Sequence, residues 1–477
     1  MTESYYWHDY ETFGADPRID RPAQFAGIRT DLDFNLIEEP EILYCRPAPD
    51  MLPHPEACLI TGITPQTAEE RGIIEAEFFG RIEQHFTRPG TCIVGYNNIR
   101  FDDEVTRFGF FRNFIDPYAW HWQNGNSRWD IIDLVRLTYA LRPEGIEWPE
   151  RADEPGVPSF RLEDLAAANG LVHEQAHDAL SDVQATIALA RLVRERQPKL
   201  FEWVWRNRDR QWVLDQLDPE NPRPMLHASS RFPSRHGGTS MVVPIMRDPK
   251  NRNATWVYDL RQDPSVFLGL EPDALRERLY GKRETLEAEG KERLPLKQVH
   301  ANRAPVLAPV GTLDPASEAR IALDKRQAMD HFETLQRHPE LVLALREMLQ
   351  QEREWEGDFD PELSLYSGPF FSDADKREMR RVREATPEQL ARETFVFEDR
   401  RLDELLLRYR ARNWPETLTE QERAQWEEWR WHKLNDPRYG ITLESYGERL
   451  FRLQQTHPEA AGILEQLEEW GMRVAEA

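Results

Sequence analysis

Two carboxylates separated by one residue interrupt an aromatic stretch near the start of the chain. The stretch is WHDYETFG at residues 7–14, and its acids are Asp9 and Glu11. Side chains of a β-strand alternate between the two faces of the sheet, so in a strand these two acids point the same way. Stacked carboxylates raise each other's pKa unless a cation lies between them. The negative charge of the pair must therefore be compensated by solvent, by a basic neighbour or by a metal ion.

Two later motifs add further acids and a histidine. In GYNNIRFDDEVTR (95–107) a short apolar strand ends at a polar turn, and Asp102 follows at the predicted start of a helix. An N-cap role is the alternative for Asp102, because aspartate is favoured there, and Asp103 is typical of a first helical turn. In AHDALSD (176–182) the helix predicted over 177–197 begins with His177 and carries Asp182. These additions favour a metal ion as the compensation.

Composition bounds the class of protein. The 477 residues allow two to four domains, and 40% apolar with 10% aromatic residues predict a globular chain. Three widely spaced cysteines, Cys45, Cys58 and Cys92, favour buried thiols in a reducing compartment over a disulfide framework. The sequence lacks an apolar run of the roughly 18 residues that a membrane span needs, and it lacks a basic start followed by an apolar run. We therefore expect a cytoplasmic protein with no membrane segment.

Three regions differ in their predicted secondary structure. Short apolar runs and helical patterns are interleaved over 1–197, which predicts an α/β domain. Residues 198–351 add β segments, including a predicted hairpin of SMVVPIM and ATWVYDL, and 352–477 are mainly helical. The net charge of −24 is unfavourable for phosphate binding overall, although arginines are frequent over 100–142. Net charge alone neither indicates nor excludes a nucleic-acid partner.

Long motifs along the chain resemble those of one family. HDYETFGADPRIDRPAQFAGIRTD, GYNNIRFDDEVTR, YALRPEGI, PSFRLEDLAAANG and AHDALSDVQATIA are similar to bacterial exonuclease I, a member of the histidine branch of the DEDD exonuclease superfamily. LYSGPFFSDADKREM and YRARNWP resemble the C-terminal region of that family. The resemblance implies a ribonuclease H-like exonuclease domain (a mixed sheet flanked by helices) over 1–197, an SH3-like domain over 198–351 and a C-terminal helical domain over 352–477.

The resemblance also implies a reaction. The expected activity is processive 3′→5′ degradation of single-stranded DNA, with release of 5′-mononucleotides and a role in DNA repair and recombination. Two Mg²⁺ ions, for which Mn²⁺ is an expected substitute, would be held by Asp9, Glu11, Asp102 and Asp182, because two cations stabilise both the attacking and the leaving oxygen at phosphorus. His177 is the expected general base for the attacking water. Glu11 is also expected to touch the terminal nucleotide.

Aromatic and basic residues are candidate contacts to the strand. Stacking of bases on aromatic rings is worth about 1–3 kcal/mol per base and requires no particular sequence. The residues that the resemblance supports as strand contacts are Arg107, Tyr118, Trp122, Arg136, Arg161, Asn253, Lys297 and Asn302. The last three have an ordinary surface role as the alternative. Phe108, Phe111 and Phe114 have a helical spacing that is instead typical of a core.

A protein partner is also implied by the resemblance. The family binds the acidic C-terminal tail of the single-stranded-DNA-binding protein, and Arg142 in YALRPEGI is the candidate contact, with Trp203 a suitable apolar neighbour. Asp314 in TLDPASE lies where a basic residue is expected, which bears on the strength of this interaction. An architecture of three domains around a strand is expected to work as a monomer.

Three other functions fit the sequence less well. An RNA-trimming exoribonuclease of the same superfamily would usually be much shorter and lack the last 280 or so residues. A catalytically inactive single-strand-binding scaffold would not need four acids together with His177. A glycosidase places its two acids on opposite sides of a bond, whereas Asp9 and Glu11 lie side by side.

Overall fold

The computed structural model describes residues 3–171, 178–351 and 360–476. These residues form two compact units. The first unit contains residues 3–128, 178–184 and 360–476, and the second unit contains residues 129–171 and 185–351. These two units do not correspond to the three predicted domains, because the first unit takes residues from both the first and the last of them. The predicted boundaries at 197/198 and 351/352 therefore stay a prediction. No helix among the described residues is both long and apolar enough to cross a membrane.

Strands and helices are interleaved in the N-terminal half, and the C-terminal part is helical. The strands are β1 (Ser4–Thr12), β2 (Pro22–Thr30), β3 (Glu41–Tyr44), β4 (Thr91–Gly95), β5 (Ser127–Asp130), β6 (Glu150–Arg151), β7 (Glu154–Pro158), β8 (Met225–Ala228), β9 (Thr239–Arg247), β10 (Ala254–Asp259), β11 (Leu296–His300) and β12 (Val306–Pro309). The α-helices are α1 (Pro55–Thr61), α2 (Pro65–Arg71), α3 (Glu75–Phe86), α4 (Asp102–Arg112), α5 (Ile131–Leu141), α6 (Leu162–Ala168), α7 (Ala179–Arg196), α8 (Pro198–Arg206), α9 (Arg210–Gln216), α10 (Pro272–Tyr280), α11 (Arg283–Ala288), α12 (Pro315–Arg320), α13 (Lys325–Arg337), α14 (Pro339–Gln350), α15 (Asp373–Glu384), α16 (Pro387–Arg392), α17 (Arg401–Asn413), α18 (Glu420–Asn435), α19 (Leu443–Thr456) and α20 (Ala461–Glu476). These elements confirm the predicted α/β class and the helical C-terminal region.

A mixed sheet positions the D-x-E pair. Its strand order is β3-β2-β1-β4-β5, in which β1 pairs antiparallel with β2 and parallel with β4. Nearly every residue of β1 is buried, as the aromatic sequence SYYWHDYET requires of a strand covered on both faces. Glu11 lies opposite Gln24 of β2, and Asp9 lies opposite Ala26. The pair of acids is therefore on an inner strand of the sheet and not on an exposed edge.

The helices α3 and α4 cover one face of this sheet. Phe78 and Phe86 of α3 pack with Tyr10 of β1 in a fully buried cluster. Gly109 of α4 allows a close approach, because a Cβ atom at that position would lie 1.9 Å from the ring of Phe79. The backbone of α4 therefore packs directly on α3, which fixes the position of the acids at the start of α4.

The C-terminal helices share a core with residues near the start of the chain. Phe108, Phe111 and Phe114 are buried with residues of α15 and α17, which confirms their predicted core role. Leu464 and Leu467 of α20 pack with apolar residues from the segment between β1 and α2. The first unit is thus held together by contacts between residues that are more than 200 positions apart in the sequence.

A buried network of charges accompanies these apolar contacts. Asp50 is fully buried and accepts hydrogen bonds from Arg412 at 2.8 and 3.0 Å and from Lys433 at 2.5 Å. Arg412 also pairs with Glu362, whose carboxylate lies 3.2 Å from Arg21. Burial alone would raise the pKa of Asp50, but Arg412 and Lys433 outweigh burial and hold it well below its usual value. Asp50 is therefore ionised and depends on its basic partners.

An antiparallel sheet forms the centre of the second unit. Its strand order is β11-β10-β9-β8-β12, and β9 and β10 form the predicted hairpin, with an irregularity between Trp256 and Val257. Val242, Val257 and Leu307 lie in its buried core, together with residues of α9.

The three cysteines of the chain are all buried and free, as expected from their spacing.

Candidate metal centre

Three carboxylates meet at one end of the sheet in the first unit. Asp9 and Glu11 project from the same face of β1, and Asp182 lies in the first turn of α7. Each of the three offers an oxygen atom within 4.8 Å of those of the other two. Glu11 is buried, and the other two are half-buried. Residues separated by about 170 positions thus form one compact set of oxygen ligands.

The electrostatics of these carboxylates calls for a cation. Burial raises the pKa of Asp9 well above its usual value, and the neighbouring carboxylates of Asp102, Glu11 and Asp182 raise it further. Burial likewise raises the pKa of Glu11 to about 9, with added repulsion from Asp182, Asp102 and Asp178. A set of oxygen donors with this mutual repulsion suits a hard divalent cation such as Mg²⁺ or Mn²⁺. The residues present therefore fit a divalent metal site.

Asp102 lies beside this set but is oriented differently from an N-cap. It is the first residue of α4, and Phe101 occupies the capping position without a side-chain cap. Its Oδ1 atom accepts a hydrogen bond of 3.1 Å from the backbone N–H of Tyr10, the residue between Asp9 and Glu11. The N-cap alternative is therefore wrong for Asp102, whose carboxylate is turned towards β1.

Asp103 lies in the first turn of α4, as predicted, and it also has a buried basic partner. It is fully buried and forms an ion pair of 2.5 Å with Arg128. Asn98 also donates a hydrogen bond to its carboxylate at 3.3 Å. Because its charge is already compensated, Asp103 is a structural neighbour of the metal set and does not belong to it.

The predicted general base cannot be placed in this geometry. His177 lies outside the described residues, which resume at Asp178. The described part of the motif AHDALSD ends in the first turn of α7, where Asp182 joins the carboxylate set. The role of His177 therefore stays a prediction.

Two candidate strand contacts of the first unit, Arg107 and Tyr118, lie together. Arg107 is almost fully buried, and its guanidinium donates to Tyr366 at 3.0 Å and to Glu104 at 3.2 Å. Its other terminal nitrogen donates to Nε2 of His121 at 3.1 Å. Tyr118 is half-buried, with its ring below the Arg107 guanidinium at 5.7 Å. The guanidinium of Arg107 is therefore held in a fixed position by these side chains.

Trp122, Tyr366 and Phe370 are exposed aromatic residues of the first unit. Trp122 is 61% exposed, whereas the adjacent Trp120 is buried. Tyr366 and Phe370 are 50% and 82% exposed, and both pack against Tyr118. Sequence reasoning missed Tyr366 and Phe370 as surface aromatics. The feature that could have identified them is the high density of aromatic residues in LYSGPFFS.

Candidate contacts in the second unit also have polar partners. Arg136 pairs with Asp133 at 2.6 Å, and the exposed Arg161 pairs with Glu163. The amide oxygen of Asn253 accepts a hydrogen bond of 2.5 Å from Arg210.

Two more of these candidates lie on or beside β11. Lys297 donates to Nε2 of His227 at 2.9 Å and lies over the ring of Phe232 at 4.6 Å. Asn302 is half-buried and follows Ala301, whose N–H donates to the carbonyl oxygen of Asn253. The structure therefore brings Asn253 and the 301–302 segment together.

Arg142 is already engaged by an acid. Its guanidinium lies 3.5 Å from the carboxylate of Asp314, and both side chains are about half exposed. Asp314 also caps α12 by accepting from the backbone N–H of Ser317 at 2.8 Å. That N–H lowers the pKa of Asp314, which keeps the carboxylate ionised beside Arg142.

Comparison with known sequences assigns the class of protein. Residues 6–190 match the family described as exonuclease, residues 208–351 match the exonuclease I SH3-like domain, and residues 359–474 match the exonuclease I C-terminal domain. Together with the carboxylate set, these matches define an exonuclease with a divalent metal site.

Comparison with individual proteins assigns the family. Exodeoxyribonuclease I of Escherichia coli is 46% identical over 456 residues, which cover 96% of this chain and 94% of that protein. The structure of the E. coli enzyme with a dA16 oligonucleotide has a TM-score of 0.94 at 44% identity, covering 99% of this chain and all of the other. Exonuclease I of Methylocaldum szegediense has a TM-score of 0.92 at 49% identity, covering 99% of each chain. The chain belongs to the exodeoxyribonuclease I family.

Proposed function

We propose that this exodeoxyribonuclease degrades single-stranded DNA in the 3′→5′ direction and releases 5′-mononucleotides. The observation that carries the proposal is the convergence of Asp9, Glu11 and Asp182 within 4.8 Å in a chain of this family. Solved structures of the E. coli relative with single-stranded DNA support the choice of substrate. A role in DNA repair and recombination, in the cytoplasm, follows from the resemblance.

The metal is the first finer part of the proposal. We propose two Mg²⁺ ions, replaceable by Mn²⁺, with Asp9, Glu11 and Asp182 as ligands and Asp102 completing the site. A zinc-bound form of the E. coli enzyme with single-stranded DNA supports the use of a divalent metal. When bound, two divalent ions stabilise charge on the attacking and leaving oxygens at phosphorus.

The protein side chains have separate tasks around that site. His177 accepts a proton from the attacking water, because imidazole is the side chain that most often acts as a general base. Glu11 touches the terminal nucleotide. The backbone N–H of Tyr10 holds the Asp102 carboxylate towards β1.

Binding of the strand combines stacking with contacts to phosphates. Trp122 and Tyr118 offer rings for bases, and cations of Arg107, Arg136 and Arg161 offer partners for phosphates. Lys297, Asn253 and Asn302 are the proposed contacts of the second unit. Repeated contacts of this kind keep the enzyme on one strand between cuts, and a solved structure of exonuclease I has been interpreted in terms of processivity.

The single-stranded-DNA-binding protein is the proposed partner. A solved structure of SSB and exonuclease I with an inhibitor supports such an interaction for the relative. We propose Arg142 as the contact to its acidic tail, with affinity reduced by Asp314. The enzyme is proposed to act as a monomer.

A single digestion experiment tests this function. Single-stranded DNA, duplex DNA and RNA oligonucleotides, labelled at the 5′ or the 3′ end, are incubated with the protein in Mg²⁺ or in EDTA. We expect Mg²⁺-dependent digestion of single-stranded DNA alone, with a shortening ladder from the 5′ label and immediate release of the 3′-labelled mononucleotide. The Asp182→Ala variant is expected to bind the strand without digesting it, and Glu195→Ala, an exposed acid on the same helix, to remain active. Digestion of RNA at an equal rate, or full turnover by Asp182→Ala, would overturn the proposal.

A further inference from the structure

Gln24 is a buried polar residue opposite the metal centre. It lies on β2, directly across from Glu11 of β1, and only 1% of its surface is exposed. A buried amide carries two donor hydrogens and an acceptor oxygen, each of which requires a partner. The contacts of Gln24 therefore indicate what this residue holds in place.

The amide of Gln24 joins β2 and β3 to the start of α7. Its Nε2 atom donates to the hydroxyl of Tyr44 at 2.9 Å and to the Asp178 carboxylate at 3.2 Å. Its Oε1 atom accepts from the backbone N–H of Ala179 at 3.1 Å. Reversing the amide would face the nitrogen with an N–H group and the oxygen with a carboxylate, so the orientation is determined by the partners.

Asp178 extends the connection into the helix. Its carboxylate accepts from the backbone N–H of Ser181 at 3.3 Å, and its carbonyl oxygen accepts from the N–H of Asp182 at 3.1 Å. Gln24 therefore contacts Asp178, which bonds the first turn of α7, and Ala179, the first residue of that helix. The third carboxylate of the metal set, Asp182, lies in that turn.

We propose that Gln24 is a positioning residue of the metal centre. It fixes the first turn of α7 against the sheet, so that Asp182 stays within reach of Asp9 and Glu11 on the neighbouring strand. Without the amide, the repulsion among the three carboxylates would favour movement of the helix start away from β1. The inference rests on the proposed function, because it takes these carboxylates as metal ligands.

Metal binding in the absence of DNA tests this role. Mn²⁺ binding to the full chain is measured by titration calorimetry for the natural protein and for Gln24→Leu, which keeps the side-chain size and removes all three hydrogen bonds. We expect affinity for Mn²⁺ to fall about tenfold or more, as is typical when an outer partner of a metal site is lost. The Mg²⁺ concentration for half-maximal digestion should rise in parallel, while kcat at saturating Mg²⁺ changes much less.

The matched control is a buried hydrogen bond between the same strands. Thr30 of β2 accepts from Nε1 of Trp7 on β1 at 2.9 Å, away from α7. Thr30→Val removes that bond and should lower thermal stability while leaving Mn²⁺ affinity unchanged. Equal losses of Mn²⁺ affinity in Thr30→Val and Gln24→Leu would reduce Gln24 to a general stabilising role and overturn the inference.

A second variant covers the case in which Gln24→Leu does not fold. Gln24→Asn keeps a polar amide in the buried position but is one methylene shorter, so it cannot reach both β3 and Ala179. It should lose Mn²⁺ affinity as well, and natural affinity in a folded Gln24→Asn protein would contradict the proposal. Failure of the natural protein to digest single-stranded DNA would instead overturn the proposed function, so the two failures are distinguishable.

Discussion

The backbone N–H of Tyr10 donates a hydrogen bond to Oδ1 of Asp102. This bond of 3.1 Å links the middle of the D-x-E motif to the first residue of α4, about 90 positions later in the chain. The pairing of β1 with β4 ends at Trp7, and beyond that point the backbone N–H of Tyr10 bonds Asp102. The bond therefore holds the carboxylate of Asp102 against the strand that carries Asp9 and Glu11.

The charge and the hydrogen bond of Asp102 can be separated by one substitution. Asp102→Asn keeps an oxygen acceptor for the Tyr10 N–H but removes the negative charge beside Asp9. We expect Mg²⁺-dependent digestion to slow by about 10–100-fold, the usual effect of altering the surroundings of metal ligands, with little change in Tm. Asp102→Ala should lose both activity and stability, since it leaves the buried N–H without its partner. Full activity of Asp102→Asn would remove Asp102 from the metal site.

With Glu11 as a proposed metal ligand, metal binding and proton binding are expected to compete at its carboxylate. Without metal, the pKa of Glu11 is about 9 in the folded protein, against an ordinary value of 4.5. A raised folded-state pKa means that the stability of the metal-free protein falls as pH rises from about 4.5 to about 9. Mg²⁺ replaces the proton, so the increase in Tm caused by Mg²⁺ should grow over this range. Thermal unfolding in Mg²⁺ and in EDTA at about pH 5.5, 7 and 8.5 measures it, and an increase independent of pH would contradict the assignment.

Two local features of the sequence predict much of the candidate metal site. They are the alternation of side chains along a strand and the start of a helix. The alternation of side chains along a strand predicts that Asp9 and Glu11 share one face, and α7 confirms the predicted helix that carries Asp182. These are local relationships, which depend on backbone geometry within a few residues. Local periodicity does not predict that oxygens of these three residues lie within 4.8 Å of one another. That convergence agrees with the family resemblance.

Relationships between distant residues were beyond sequence reasoning. The position of Asp103 in a first helical turn does not indicate its buried pairing with Arg128. Nothing in the local sequence of Gln24 indicates that its amide bonds Asp178, and nothing near Tyr366 indicates that its hydroxyl meets Arg107. Such pairs depend on how separate elements pack, and no spacing within either element encodes them.

The buried pairing of Asp50 predicts a large loss of stability for a single substitution. Arg412→Ala would leave Asp50, which is fully buried, with one direct basic partner, and would deprive Glu362 of its closest partner. Removing one member of a buried ion pair typically costs about 3–5 kcal/mol. Urea unfolding of the first unit should show this loss. Arg18→Ala breaks the more exposed pair with Asp16 and should cost less than about 1 kcal/mol, so an equal effect of the two substitutions would contradict the role of the network.

Asp314 predicts that the affinity for an acidic peptide can be increased. Its carboxylate lies 3.5 Å from the Arg142 guanidinium and competes with any carboxylate that approaches Arg142. Asp314→Ser removes the charge and keeps the cap of α12, because serine is also favoured at the N-cap. Binding of a synthetic peptide of the acidic tail, followed by fluorescence anisotropy, should strengthen several-fold at low salt, and the gain should shrink at high salt because exposed charges are screened.

The control for Asp314→Ser is the same substitution at another helix. Asp324 caps α13 by accepting from the N–H of Gln327 at 3.0 Å and is exposed in the same unit. Asp324→Ser changes the net charge and the cap equally but leaves Arg142 and Asp314 together, so peptide affinity should stay at the natural value. A gain of the same size in both variants would mean that the peptide responds to the overall charge of −24. A gain confined to Asp314→Ser would identify Arg142 as the group that meets the peptide.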